Sequence, residues 1–434
     1  MRWAAALGTL ALALYLGAAF AGKRDRALFM PGATSAGHHQ IELACESCHA
    51  RFGGGAALQE ACVRCHGEQL AAVHDSHPRT KFTDPRNAER VALLDARLCA
   101  TCHVEHQPER MRAAGLTLPA DYCFRCHEKV GEDRPTHAGV AFDRCASAGC
   151  HNFHDNQALY EDFLFAHRAE PPHRPDGRLI ARAWAPIPEK RLAADAHDAP
   201  AHASDAKAIA DWAASAHAGA GVNCSGCHGE DAGWQETPAL TACDECHARE
   251  AERFRSGKHG MRIAAGLSPM RPALARLPMK SEALERTLDC AACHAAHAVD
   301  TRSAAVEACL GCHDDAHSLA YQASPHAALW RSELRGKTPP GSGVSCASCH
   351  LPRRGHPGKT VAADHDQNGN LRPNEKMVRS VCLACHGLGF TLDALADAAL
   401  VRRNFDRAPL HTVDSIAWAE ERKQADRASA RREP

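Results

Sequence analysis

Residues 45–66 read CESCHARFGGGAALQEACVRCH, two copies of Cys-x-x-Cys-His separated by twelve residues. Reading outward, the same pentapeptide recurs to the end of the chain. Its cysteine pairs are Cys45/Cys48, Cys62/Cys65, Cys99/Cys102, Cys123/Cys126, Cys224/Cys227, Cys243/Cys246, Cys290/Cys293, Cys309/Cys312, Cys346/Cys349 and Cys382/Cys385. An eleventh pair, Cys145 and Cys150, has four residues between its cysteines and is also followed by a histidine, His151. These eleven pairs use all 22 cysteines of the 434-residue chain. A disulfide framework places no demand on the residue after a cysteine. Zinc ribbons need paired knuckles but no adjacent His, and a thioredoxin-type motif occurs once.

Chemistry explains the repeated unit. Two thiols one helical turn apart can form thioethers with the two vinyl groups of one porphyrin, and the next residue then offers an imidazole to the iron. The expectation is eleven covalently attached haem c groups. Their proximal ligands are His49, His66, His103, His127, His151, His228, His247, His294, His313, His350 and His386. The longer Cys145 to Cys150 loop must bulge to keep the same reach. With 51 Lys+Arg against 52 Asp+Glu there is no basic excess, so a nucleic-acid partner is not expected. Aromatic residues make up only 5% of the chain, as suits a fold whose buried apolar surface comes largely from porphyrins. No alternating pattern is long enough for a sheet. The expected fold class is mainly α with much irregular loop, packed around haems in two haem domains.

The motifs fall in two groups, and boundaries follow from them. Residues 1–22 hold an apolar stretch from Trp3 to Ala21, readable as a signal peptide ending near Ala19-Phe20-Ala21 or as an uncleaved membrane anchor. Lys23, Arg24 and Arg26 after it run against a simple positive-inside orientation. Residues 23–160 form a five-haem domain. Residues 161–205, rich in Pro, Ala and His, read as a linker, with His167, His173, His197 and His202 as solvated residues. Residues 206–434 form a six-haem domain ending in a helix from Ser415 to Arg432. In either reading of the N-terminus the haem region is exported, which places it in the periplasm.

Histidines outside the motifs are candidates for the distal face of each iron. In the first group these are His38 or His39 (His39 preferred), His77, His106, His137 and His154, five for five. In the second, Trp212 to His217, Phe254 to His259 and Tyr321 to His326 each place an aromatic five residues before a His, with Ser215, Ser256 or Ser324 between. A helix leaving one motif would carry such a His toward a neighbouring iron. His297, in CAACHAAH, repeats the spacing of His106 and His154, while His317, His356, His365 and His411 compete for the remaining places. Histidine is in surplus, so Met261, Met270, Met279 and Met377 are the less favoured ligands, and bis-His ligation implies lower potentials than Met/His.

Taken together the motifs identify the chain as resembling multihaem c-type cytochromes. Residues 38–154, with GHH at 37–39, CATCHVEH and CASAGCHNFH, resemble the class III type, cytochromes c3 and c7, which implies low-potential bis-His clusters. Residues 212–411, with SAHAGAGVNCSGCH, the aromatic-to-His segments and CASCHLPRRGH, resemble the group of octahaem hydroxylamine oxidoreductases and related nitrite and tetrathionate reductases. Two catalytic signatures of that group are missing. There is no CxxCK, and none of Tyr15, Tyr122, Tyr160 and Tyr321 follows the last motif. The expectation is therefore an electron carrier between a quinol-oxidising membrane complex and a downstream reductase, with a possible membrane tether. The alternative is an oxidoreductase acting on nitrite, hydroxylamine or tetrathionate at one five-coordinate haem, with Arg353, Arg354 and Lys359 serving an anionic substrate.

Overall fold

The computed structural model describes residues 2–21, 26–49, 55–73, 75, 77–112, 115–134, 137–145, 152–155, 159, 161–181, 190–355, 361–371 and 376–430. Its regular structure is short helices joined by irregular loop. The only sheet among the described residues is a two-residue antiparallel pair, with Arg353 opposite Ala363 and Arg354 opposite Ala362.

Each described motif winds one turn. The amide of the motif His donates to the carbonyl of the first Cys, at 2.7 Å for His49 to Cys45, 2.9 Å for His103 to Cys99, 3.0 Å for His127 to Cys123 and 2.9 Å for His386 to Cys382. Five of these turns are the isolated helices Cys99–Cys102, Phe124–His127, Ser225–His228, Cys290–His294 and Cys346–His350. Two motifs lie in longer helices, Gly55–Ala72 and Leu240–Ser256. The second of these is kinked at His247, whose φ of −114° and ψ of 37° are non-helical. The turn delivers both sulfurs and the imidazole to one side, as attachment of a single porphyrin requires.

The chain divides into two units, residues 1–161 with 265–267, and residues 162–264 with 268–434. Within the second, Ala305, Val306, Leu310, Tyr321, Ala327 and Trp330 form a small apolar cluster, and Tyr321 Oη donates to Val344 O at 2.8 Å. Cys346 and Ala347, the first two residues of a cysteine motif, pack against this cluster.

The described residues 162–181 and 190–205, most of the stretch that the sequence suggests as a linker, belong to the second unit. Arg174 N donates to Cys385 O at 2.8 Å, Leu179 N to Gly341 O at 2.9 Å and Leu192 N to Ala218 O at 2.9 Å. Pro171, Pro172 and Pro175 bring no amide hydrogen of their own, but their extended backbone offers carbonyls, and Pro172 O accepts from Gly387 N at 3.4 Å. Gly387 is required there, since a Cβ would lie 2.5 Å from Pro171 O. Helix Glu161–Ala166 is tied to the C-terminal helix Ser415–Ala430 through Asp162 and Lys423, 2.6 Å apart. At the N-terminus, Arg2–Ala21 is one helix with Leu7, Leu10, Leu12 and Leu14 exposed. No helix is long and apolar enough to cross a membrane among the described residues.

Candidate metal and cofactor sites

Two imidazoles that bind one metal ion from opposite sides each hold a nitrogen about 2 Å from it, which sets their ring centres about 6 Å apart. A direct hydrogen bond between rings brings them closer. His173 and His386 show that case, with Nδ1 atoms 3.0 Å apart and centroids at 4.9 Å.

The wider spacing recurs at every described Cys-x-x-Cys-His. In the first unit it joins His66 to His38 at 5.9 Å, His49 to His106 at 6.3 Å, His127 to His77 at 6.0 Å and His103 to His154 at 6.4 Å. In the second unit His247 faces His217 at 6.0 Å, His228 faces His297 at 6.0 Å and His313 faces His259 at 6.3 Å. There too His294 faces His365 at 6.3 Å, His350 faces His317 at 6.1 Å and His386 faces His326 at 6.2 Å. Each pair has one motif His and one His from elsewhere, and no residue is used twice. The gaps fit an iron held between each pair, beside two cysteines placed for thioether attachment.

Hydrogen bonds orient the rings. Nδ1 faces a backbone carbonyl in His77 (Phe153 O, 2.7 Å), His103 (Gly115 O, 3.1 Å), His106 (Gly32 O, 2.8 Å), His228 (Gln235 O, 2.6 Å), His317 (Val401 O, 2.5 Å), His365 (Ala363 O, 3.1 Å) and His386 (Pro172 O, 3.1 Å). A carbonyl can only accept, so the proton sits on Nδ1 and Nε2 carries the lone pair a metal would take; in His317 that Nε2 lies 3.3 Å from Asn404 Nδ2. His38 differs. Its Nδ1 lies 2.7 Å from Glu105 Oε1, and Ser35 N donates to the other carboxylate oxygen at 2.6 Å. Burial pushes Glu105 up, but the hydrogen bonds from His38 and Ser35 outweigh it and hold its carboxyl at about 2. His259 and His326 are both held down to about 4 by burial, with further lowering from His313 and His386 respectively. They are neutral at pH 7, as a ligand must be.

The recurring aromatic-Ser-His segment has a local cause. Trp212 is anchored by Nε1 donating to Val222 O at 2.9 Å, and Tyr321 by its bond to Val344 O. Ser215 Oγ then accepts from His217 N at 3.2 Å and Ala218 N at 3.3 Å, and Ser324 Oγ accepts from Ala327 N at 3.2 Å. Each serine ends one helix and caps the next, so the His leaves from a first helical turn at a changed angle. Ser256 does otherwise, bonding back to Glu252 O at 3.1 Å within its own helix.

Neighbouring motifs touch. The thiols of Cys62 and Cys99 are hydrogen-bond neighbours, as are those of Cys123 and Cys145 in the first unit. In the second unit Cys290 meets Cys243, and Cys309 meets Cys346. Cys227 lies within electrostatic reach of Cys243 and Cys246, Cys293 of Cys309 and Cys312, and Cys349 of Cys382.

The sequence treats the second cysteine of every motif alike, and the structure does not. Cys126 is half-buried, with its amide donating to Cys123 O at 3.2 Å. Cys246 is exposed on helix Leu240–Ser256. Cys312 is buried, its Sγ 4.0 Å from Arg286 Nη1 and its carbonyl accepting from Lys280 N at 2.9 Å. Motif spacing fixes the local turn, whereas the cover over each sulfur comes from residues distant in sequence. Attachment at Cys126, Cys246 and Cys312 therefore rests on the motif, not on a shared environment.

Other sequence expectations are displaced. His38 rather than His39 faces His66, while His39 Nδ1 lies 3.1 Å from Glu42 Oε1. The two residues are adjacent, and nothing in GHHQ distinguishes them before the turn at His39–Ile41 is formed. Among the competing histidines His317 and His365 take places opposite motif histidines, and His411 is exposed. His137 is described, whereas His151 and Cys150 of the eleventh motif lie outside the described residues, as do His356, Lys359 and Tyr160. Arg354 is engaged by Asp364 at 3.0 Å and Asn370 at 2.6 Å, so it is not a free anion-binding cation.

Two parts of the chain match known protein families. The family described as Cytochrome c3 matches residues 37–128, and the family described as Cytochrome c554 and c-prime matches residues 242–313. The second lies inside the region that the sequence likened to the hydroxylamine oxidoreductase group. No curated protein and no solved structure matches the chain.

Proposed function

We propose that this chain, a multihaem c-type cytochrome with a cytochrome c3 domain in its first part and a cytochrome c554/c-prime domain in its second, is an eleven-haem electron conduit with a histidine on both faces of every iron. The observation that carries the reading is the set of ten ring pairs, one for each Cys-x-x-Cys-His motif. A distal His at each site closes the sixth position against a substrate, which favours transfer of electrons over chemistry on a bound molecule.

Haem supplies a one-electron couple when bound, and the protein's part is spacing. Short segments carry ligands for two sites at once: His103 and His106 serve the sites of Cys99/Cys102 and Cys45/Cys48, and His294 and His297 serve those of Cys290/Cys293 and Cys224/Cys227. Three residues of chain span at most about 11 Å, so such a segment keeps two neighbouring sites close. The cysteine neighbours extend this in sequence order through the second unit, and in the first they join Cys62 to Cys99 and Cys123 to Cys145. These histidine pairs would hold the haem groups, and backbone hydrogen bonds to Nδ1 would keep the ligand rings from reorienting.

The working compartment on this reading is the periplasm, with Arg2–Ala21 as leader or tether. The donor is a quinol-oxidising membrane complex and the acceptor a downstream reductase. Intact mass and a reductive titration of the matured protein test the stoichiometry. Eleven haems and uptake of eleven electrons are expected. A count of ten would remove the site of Cys145, Cys150 and His151, and a count well below ten would overturn the conduit.

A further inference from the structure

Seven of the described ligand histidines have an uncharged backbone carbonyl at Nδ1, and His38 has a carboxylate. Glu105 reaches it from 67 residues away, out of CATCHVEH at 99–106, where it sits between His103 and His106. The corresponding positions in CHAAH at 293–297 and CHNFH at 150–154 are Ala296 and Phe153. The contact is built rather than incidental: Glu105 Oε1 lies 2.7 Å from His38 Nδ1, and Ser35 N fixes Oε2 at 2.6 Å. Both side chains are about two-thirds buried, at 34% and 28% exposure. Two other carboxylates approach ligand histidines, Asp75 at 3.4 Å from His154 Nδ1 and Asp315 at 3.5 Å from His313 Nδ1, both at the limit of a hydrogen bond.

We propose that Glu105 is a positioning and charge-setting residue that makes the site of Cys62, Cys65 and His66 the most reducing of the first unit. The inference rests on the reading that His38 is the distal ligand there. A carboxylate accepting from Nδ1–H draws the proton toward itself and makes Nε2 a stronger donor. The stronger donor and the nearby negative charge both favour the ferric over the ferrous state. In three other first-unit pairs a ligand Nδ1 faces an uncharged carbonyl: His106 has Gly32 O, His77 has Phe153 O and His103 has Gly115 O. That site would be reduced last and oxidised first, which suits it to pass electrons outward to a low-potential acceptor.

The experiment uses full-length, haem-loaded protein and potentiometric titration followed by low-temperature EPR. His38→Ala first locates the site, since one low-spin signal should be replaced by a high-spin one. Glu105→Gln keeps the shape and an acceptor for Nδ1 but removes the charge. All sites should stay low-spin while that one signal shifts at least about tenfold toward the reduced form, which is about 59 mV for one electron. Glu105→Asp, which keeps the charge, should restore most of the shift. If His38→Ala creates no high-spin signal, the ligand assignment falls. If it does, but Glu105→Gln leaves the potential unmoved or Glu105→Asp moves it as far, the role of Glu105 is refuted and His38 ligation stands.

Discussion

Replacing Arg253 by Met probes how the protein holds one of its distal histidines. Arg253 leaves helix Leu240–Ser256 and grips two carboxylates: Nε lies 2.7 Å from Asp364 Oδ1, and a terminal nitrogen lies 3.2 Å from Asp366 Oδ2. Asp364 and Asp366 are 6% and 3% exposed, and His365, the ring facing His294, sits between them. Arg354, 3.0 Å from Asp364, is the remaining cation. Removing one member of a buried ion pair costs about 3–5 kcal/mol; because Arg253 is a third exposed and Arg354 stays, about 2–3 kcal/mol is expected. Burial pushes Asp364 up, but its bonds to Arg253 and to Asp366 N outweigh this and leave its carboxyl below the ordinary 3.8. A carboxylate with a depressed folded value stabilises above its unfolded pKa and loses that stabilisation as pH falls through the folded one. The gap between wild type and Arg253→Met should therefore be full above about pH 5 and close below about pH 4. Urea unfolding followed by circular dichroism at pH 7 and pH 3.5 measures it. An unchanged midpoint at pH 7, or an equal loss at both pH values, would refute the reasoning.

Three further outcomes follow from particular contacts. His38→Ala should create one high-spin, CO-binding haem and His39→Ala none, as read from the Soret and 600–640 nm bands; the reverse result would restore the sequence preference for His39. Ser324→Ala removes a buried cap at the head of helix Pro325–Leu334 and should cost about 1–2 kcal/mol in chemical denaturation. The replaced hydroxyl is 1% exposed, so a loss below a few tenths would mean that it does not hold His326 in place. Gly387→Ala places a Cβ 2.5 Å from Pro171 O and 2.9 Å from Glu170 Cβ, and should destabilise by about 1–3 kcal/mol. A neutral result would mean that residues 161–179 do not dock against the last motif in solution.

How much of this was legible depends on how local the signal is. Cysteine spacing is read within six residues, so the proximal positions needed no tertiary information. CHVEH and CHAAH are nearly as local, because a three-residue separation sends the second ring away from the first iron toward a neighbour. His217, His259 and His326 were found through a repeat, although the serine cap explains only two of the three. The adjacent pair His38 and His39 is not separable in sequence, since the choice depends on Glu105 reaching His38 from 67 residues away. His317 and His365 have no repeated setting: one is held by Val401 O, 84 residues away, and the other stands between two carboxylates pinned by Arg253. The stretch 161–205 misled because proline-rich composition signals a lack of helix, not a lack of packing. Among its described residues, Pro172 O and Arg174 N bond to Gly387 and Cys385 beside the last motif, and Leu179 N and Leu192 N to Gly341 O and Ala218 O.

The central claim is that no iron in this protein has an open sixth position. Low-temperature EPR of the fully oxidised, haem-loaded chain, with optical spectra of the reduced form before and after CO, tests it most directly. The account predicts low-spin signals from every haem and no spectral change with CO. A high-spin signal near one haem in eleven that takes up CO would contradict it, and would place a substrate site where a histidine pair is claimed.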